Sequence, residues 1–157
     1  MRVFHEFPPV FDENSKVLIL GSLPSVKSRE VGFYYMHPQN RFWRVLEEIF
    51  KEKIEDKKEF CLHHHIALWD TCASCEITSS SDSSIKNIVP NDLSLILEKA
   101  NIVQIFTTGK KAHEIYQKYL YPIYKKEDIC LSSTSPANAR KTLDDLTKEY
   151  QVILKYM

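Results

Sequence analysis

Lys16–Gly21 reads KVLILG and runs straight into Ser22–Leu23–Pro24–Ser25. A short apolar run closed by a glycine predicts a buried strand of a parallel sheet. Working outward, Asn40–Phe50 (NRFWRVLEEIF) places Phe42, Val45, Leu46, Ile49 and Phe50 on one helical face. Cys61–Trp69 leads into IALWD and reads as a second strand. Asn91–Ala100 reads as a helix capped by Asn91 or Asp92. Asn101–Thr108 (NIVQIFTT) reads as a third strand, which Gly109 turns into a helix over Lys110–Leu120. Asp128–Leu131 is a short fourth strand, and Ala139, Leu143, Leu146, Tyr150, Ile153 and Leu154 mark a C-terminal helix.

Strands that alternate with helices predict an α/β fold whose mainly parallel, roughly four-stranded sheet is covered on both faces. Open sheets of this kind bind ligands beyond the carboxyl ends of their strands. Gly21–Asn40, Asp70–Asn87 and Ser132–Asn138 are expected on that edge, and they have the most unusual composition in the chain.

The 157 residues fit one domain, 1–157, large enough to bury a core without disulfides. Lys plus Arg (21) balances Asp plus Glu (21), which excludes polyanion binding by bulk charge and leaves a local basic face possible. With 43% hydrophobic and 27% charged residues the balance is globular. No apolar run exceeds the four residues of Val17–Leu20, far short of the ~20 of a membrane span. MRVFHEFPPVF lacks the pattern of a secretory leader, so the four cysteines are expected as reduced thiols in the cytoplasm.

Cys72-x-x-Cys75, with Cys61, Cys130 and His63–His65, is half of a metal or redox pattern with no well-spaced second half, so no metal is expected. The H-x-E and P-C-x-x-C of zinc deaminases are absent. So are G-x-G-x-x-G, G-x-x-x-x-G-K-[ST] and G-x-S-x-G.

Two stretches remain. Gly21–Ser25 (GSLPS) precedes Gly32–Trp43 (GFYYMHPQNRFW), in which Pro38 pushes His37 into extended backbone. On spacing alone, Asn40 is a helix cap with Tyr34 and Tyr35 in the core, or the polar member of an aromatic-walled pocket for a planar base. Ser132–Arg140 (SSTSPANAR) is a helix N-terminus capped by Ser135 with Pro136 in its first turn, or a phosphate site flanked by Arg140 and Lys141. Asp70 closes the second strand either as a turn residue or as an acceptor for a base N–H.

GSLPS, YYMHPQNRFW and SSTSPANA, in that order and each after a strand, resemble the uracil-DNA glycosylase superfamily. The hypoxanthine-DNA glycosylase branch is the most similar, also through LWDTCASCE and DSSIKNIVPND. The resemblance implies a three-layer α/β/α fold and metal-free, cofactor-free hydrolysis of the N-glycosidic bond of a deaminated base flipped out of DNA. It implies Asn40 as the catalytic residue and Tyr35 as the aromatic that stacks on the base. Gly21, Ser22, Leu23, Pro24, Ser25, Tyr34, His37 and Asp70 would complete the base pocket. Ser133, Thr134, Ser135, Pro136, Ala137 and Asn138 would press on the damaged strand. Because the chain is neutral, its hold on phosphates is expected from that loop together with Arg140 and Lys141, with Lys86 opposite. Relatives that remove uracil often carry Asp or Asn where Leu23 stands, so that role does not transfer. Pro136, Ala137 and Asn138 replace the usual bulky wedge. The expected partner is damaged DNA and the expected state a monomer. A non-catalytic DNA- or nucleotide-binding module, or an enzyme of free nucleosides, is the alternative.

Overall fold

The computed structural model describes residues 1–78 and 85–157. In chain order its elements are β1 (Arg2–Phe4), β2 (Val17–Gly21), α1 (Val26–Val31), α2 (Phe42–Phe50), α3 (Lys57–His63), β3 (Ile66–Asp70), β4 (Cys72–Glu76) and β5 (Lys86–Pro90). There follow α4 (Ser94–Leu97), β6 (Gln104–Thr108), α5 (Lys110–Ile115), α6 (Tyr121–Tyr124), β7 (Asp128–Leu131) and α7 (Leu143–Tyr150). A π-helical turn, Tyr116–Leu120, joins α5 to α6, and 3₁₀ turns over Gln151–Tyr156 extend α7.

The main sheet is parallel, in the order β3-β2-β6-β7. Every residue of β2 and β3 is buried, which is why KVLILG and IALWD read as unbroken apolar runs. Helices cover the sheet in a three-layer α/β/α arrangement: α5 lies on β6 and β7, α3 on β3, and α2 packs against α7. The outer edge of β3 is closed by Val10, which exchanges two backbone hydrogen bonds of 2.9 Å with Leu68. That contact covers the edge at its midpoint.

Four sequence expectations are corrected. Cys61–His63 belong to α3, capped by Asp56 at the Glu59 N–H, and the strand starts only at Ile66. The helix expected over Asn91–Ala100 shrinks to Ser94–Leu97; Asp92 turns the chain by accepting from the Ser94 N–H, and Asn91 is spent on two backbone carbonyls. Ser135 and Pro136 begin no helix. The C-terminal helix starts at Leu143 behind a Thr142–Asp145 capping box, which leaves Ala139 outside it. A second, antiparallel sheet, β1-β4-β5, went unread because its strands RVF, CASCE and KNIVP carry no long unbroken apolar run. The serine-rich loop expected at Ser79–Ser84 lies outside the described residues.

The registers Gly21↔Asp70 and Leu20↔Thr107 bring the carboxyl ends of β3, β2 and β6 level. The strand order reverses direction at β2, with β3 on one side and β6 on the other. Gly21, Asp70 and Thr108 therefore line the floor of one crevice at a topological switch point.

Candidate active site

That crevice is a cleft of about 380 Å³, within the ~300–1,000 Å³ usual for ligand sites. Gly21–Arg29 form one wall, Tyr34, Tyr35, His37 and Asn40 the back, and Ser133–Ala137 the facing wall. Loops separated by most of the sequence thus meet where the sheet order predicted.

Asn40 is held from both sides. Its Oδ1 accepts from the Phe42 N–H at 2.9 Å and from the Thr134 hydroxyl at 2.8 Å. A backbone N–H can only donate, so the amide orientation is fixed with oxygen toward Phe42. Both lone pairs of that oxygen are then in use. Nδ2 has no acceptor among the described residues, and the side chain lines the cleft. Asn40 is thus both the turn that starts α2 and a fixed donor to whatever occupies the cleft. The two readings of this residue are not exclusive.

Thr134 is 2% exposed, and its hydroxyl turns inward to Asn40 rather than outward to a phosphate. The neighbouring loop folds on itself. Ser133 Oγ accepts from the Ser135 N–H, Ser135 Oγ from the Ala137 N–H, and Asn138 donates to the Ser133 carbonyl. Ser135 is a turn-former here and not a helix cap. Pro136, Ala137 and Arg140 are exposed.

Arg41 carries the segment. Its guanidinium donates to the carbonyls of Ser135 and Asn138, each at 2.9 Å, and to those of Thr134 and Lys141. Glu149 accepts from the Ser132 N–H, and the Tyr150 hydroxyl donates to the Ser132 carbonyl. An arginine spent on carbonyls is a brace and not an anion site. Sequence reading placed Arg41 at the helix start and missed this role, because the carbonyls lie some hundred residues away in the chain.

Tyr35 sits at φ 55°, with its hydroxyl 3.0 Å from Thr108 Oγ1 and its ring stacked on Phe42 at 3.9 Å. Tyr34 is deeper. Its hydroxyl donates to the Pro8 carbonyl, and its ring packs among Phe7 and Phe33. Burial, followed by the nearby Asp70 charge, pushes both phenols well above the usual tyrosine range, so both stay neutral. Within the chain, Ser28 Oγ accepts from the Met36 N–H, tying α1 to the aromatic segment.

Asp70 is buried with one oxygen on His5, Oδ2 to Nε2 at 2.8 Å. Its Oδ1 receives no hydrogen bond among the described residues and lies 2.5 Å from where a Cβ on Gly21 would stand. His5 went unread, since a lone histidine after a three-residue strand carries no pattern. The structure also puts Lys27 and Arg29 in the cleft wall, whereas Lys86 is exposed on β5 and outside it. Among the described residues no group of His, Cys, Asp and Glu is arranged to hold a metal. Cys61, Cys72 and Cys75 are buried free thiols.

Residues 8–156 match the Uracil DNA glycosylase superfamily. Hypoxanthine DNA glycosylase of Methanosarcina barkeri is 37% identical over 140 residues, covering 85% of this chain and 87% of the relative. The protein of the same description from Methanosarcina acetivorans is 36% identical over the same coverage. A solution structure of a Methanosarcina acetivorans protein, proposed in its description to be a uracil DNA glycosylase, superposes with a TM-score of 0.77 at 33% identity, covering 94% of this chain and 96% of that one. By fold, by motif and by similarity over nearly its whole length, the chain belongs to the uracil DNA glycosylase superfamily.

Proposed function

We propose that this protein is a monofunctional DNA glycosylase that hydrolyses the N-glycosidic bond of hypoxanthine, and of uracil as a second substrate, in DNA. The observation that carries the reading is the Asn40 amide, whose carbonyl is doubly engaged and whose amino group is left to face the cleft. The relatives described as hypoxanthine DNA glycosylases support the choice of base.

Breaking the C–N bond develops positive charge on the sugar and negative charge on the departing base. A fixed N–H donor at the base stabilises the second charge without becoming charged itself. Asn40 supplies that donor. With both lone pairs of Oδ1 occupied, Asn40 does not activate water, and the Leu23 side chain in the first loop has no polar atom to do so. Bond breaking therefore runs ahead of attack: water adds to the sugar cation, and its proton ends on the base. Asp70 Oδ1 accepts the ring N–H that lies beside a carbonyl in both hypoxanthine and uracil. Tyr35 already stacks on Phe42 and offers the base its remaining face.

DNA is held locally, since the chain has no net charge. Ser135, Pro136, Ala137 and Arg140 face the strand on one side, Lys27 and Arg29 on the other. Lys86 serves as an outlying phosphate contact. With ~2–4 phosphates neutralised, the salt dependence of binding is shallow. One chain supplies the whole cleft, which suits action as a monomer, and free thiols suit the cytoplasm. The test is incubation with oligonucleotides bearing inosine, uracil, xanthine or ethenoadenine, scored as abasic sites. Binding without base release favours the non-catalytic module. Equal activity on free deoxyinosine favours the nucleoside enzyme.

A further inference from the structure

The two oxygens of Asp70 have different surroundings. Oδ2 meets His5 Nε2 at 2.8 Å, and the two side chains are 5% and 2% exposed. A carboxylate only accepts, so Nε2 carries the proton in this bond. Oδ1 lies under Gly21 at the cleft floor, where the Tyr35 hydroxyl is also close: a Cβ on Gly21 would meet them at 2.5 and 3.3 Å. Without a tether, the carboxylate could rotate toward that hydroxyl and lose its aim into the cleft.

His5 is itself well anchored. Its N–H donates to the Ala73 carbonyl at 2.8 Å, which pins the residue just beyond β1 to the second sheet. Its ring packs against Phe7 at 4.5 Å and Tyr34 at 5.8 Å between centroids. The Asp70 backbone is fixed as well, its carbonyl accepting from Asn91 Nδ2 at 2.8 Å.

From this geometry we infer that His5 is a positioning residue for base recognition: it holds Asp70 so that Oδ1 presents a fixed acceptor to the cleft. This rests on the excision reading above and deepens it. Hypoxanthine and uracil present a ring N–H beside their carbonyl, whereas adenine and cytosine present a lone pair there. A fixed carboxylate attracts the former and repels the latter, so the small second sheet, through its link to His5, takes part in selecting the deaminated bases over the adenine and cytosine from which they arise.

The test is single-turnover excision from inosine- and uracil-containing duplexes by the full chain. His5→Phe should lower the rate constant for both bases by ~10–100-fold, the worth of one hydrogen bond to a charged group. Half-saturation by DNA should be unchanged, because no phosphate contact is touched. His5→Gln, whose amide nitrogen reaches the place of Nε2, should recover most of the rate, and His5→Asn, one methylene shorter, should not. Placed in an Asp70→Asn background, His5→Phe should cost nothing more. Equal rates for His5→Phe and the parent overturn the inference. So does a His5→Gln as slow as His5→Asn, or a full loss that persists in the Asp70→Asn background. A parent protein that releases neither base overturns the excision reading itself, and this inference with it.

Discussion

Replacing Thr134 by valine removes a single hydroxyl and keeps the shape of a side chain that is 2% exposed. That hydroxyl gives Asn40 Oδ1 one of its two hydrogen bonds, at 2.8 Å; the Phe42 N–H gives the other, at 2.9 Å. The surviving bond still opposes a flipped amide, which would set two donors against each other. The loop also stays in place, because Arg41 holds its backbone carbonyls. What is lost is one neutral hydrogen bond, about 1 kcal/mol, which corresponds to ~5-fold in rate. This is far less than the ~100–1,000-fold expected from removing a positioned donor outright. The assay is single-turnover excision from an inosine duplex beside thermal unfolding of the same preparation. Thr134→Ser keeps the hydroxyl and should stay close to the parent rate. A Thr134→Val protein as fast as the parent would refute the coupling of this loop to the Asn40 amide. So would a Thr134→Ser protein that is as slow as the valine variant.

Gly21→Ala puts a methyl group 2.5 Å from Asp70 Oδ1, so the carboxylate must shift; excision should fall while DNA binding persists, as gel-shift and single-turnover assays on one sample would establish. Arg41→Ala should loosen the Ser132–Lys141 segment, speeding amide hydrogen exchange there and weakening DNA binding. Arg41→Lys should not restore either, since one ammonium cannot reach carbonyls that a planar fork serves together. Burial pushes the Cys61 and Cys72 thiols up to about 12 from 9.0. A proton held more tightly in the folded state gives stability that is complete below the unfolded value, so unfolding titrations should lose stability between about pH 9 and pH 12. Below that range, alkylation of the native protein should mark exposed Cys130 first.

The sequence made the parallel sheet legible because β2, β3 and β6 are buried on both faces and lie near turn residues such as Gly21 and Gly109. Edge placement of the GSLPS, HPQN and STSPAN loops followed from strand order alone, and the resemblance singled out Asn40. Other features were hidden in long-range partnerships. Ser135–Pro136 has the local grammar of a helix start, yet Arg41 captures the carbonyls of that stretch and bends it into a loop instead. Cys61–His63 carried the apolar character of a strand but sit at the end of a helix that Asp56 caps. The second sheet escaped notice because its register depends on the pairing of Arg2–Phe4 with Ser74–Glu76, far along the chain. With it went His5, whose role exists only once Asp70 stands beside it.

Base excision, as proposed, depends on Asn40 as the donor to the leaving base. Its most direct test is single-turnover release of hypoxanthine from an inosine duplex by the parent protein and by Asn40→Ala, with folding checked by circular dichroism. The parent should form abasic sites, and a folded Asn40→Ala should do so ~100–1,000-fold more slowly. A folded Asn40→Ala that cleaves as fast as the parent, or a parent that leaves the duplex intact, would contradict it.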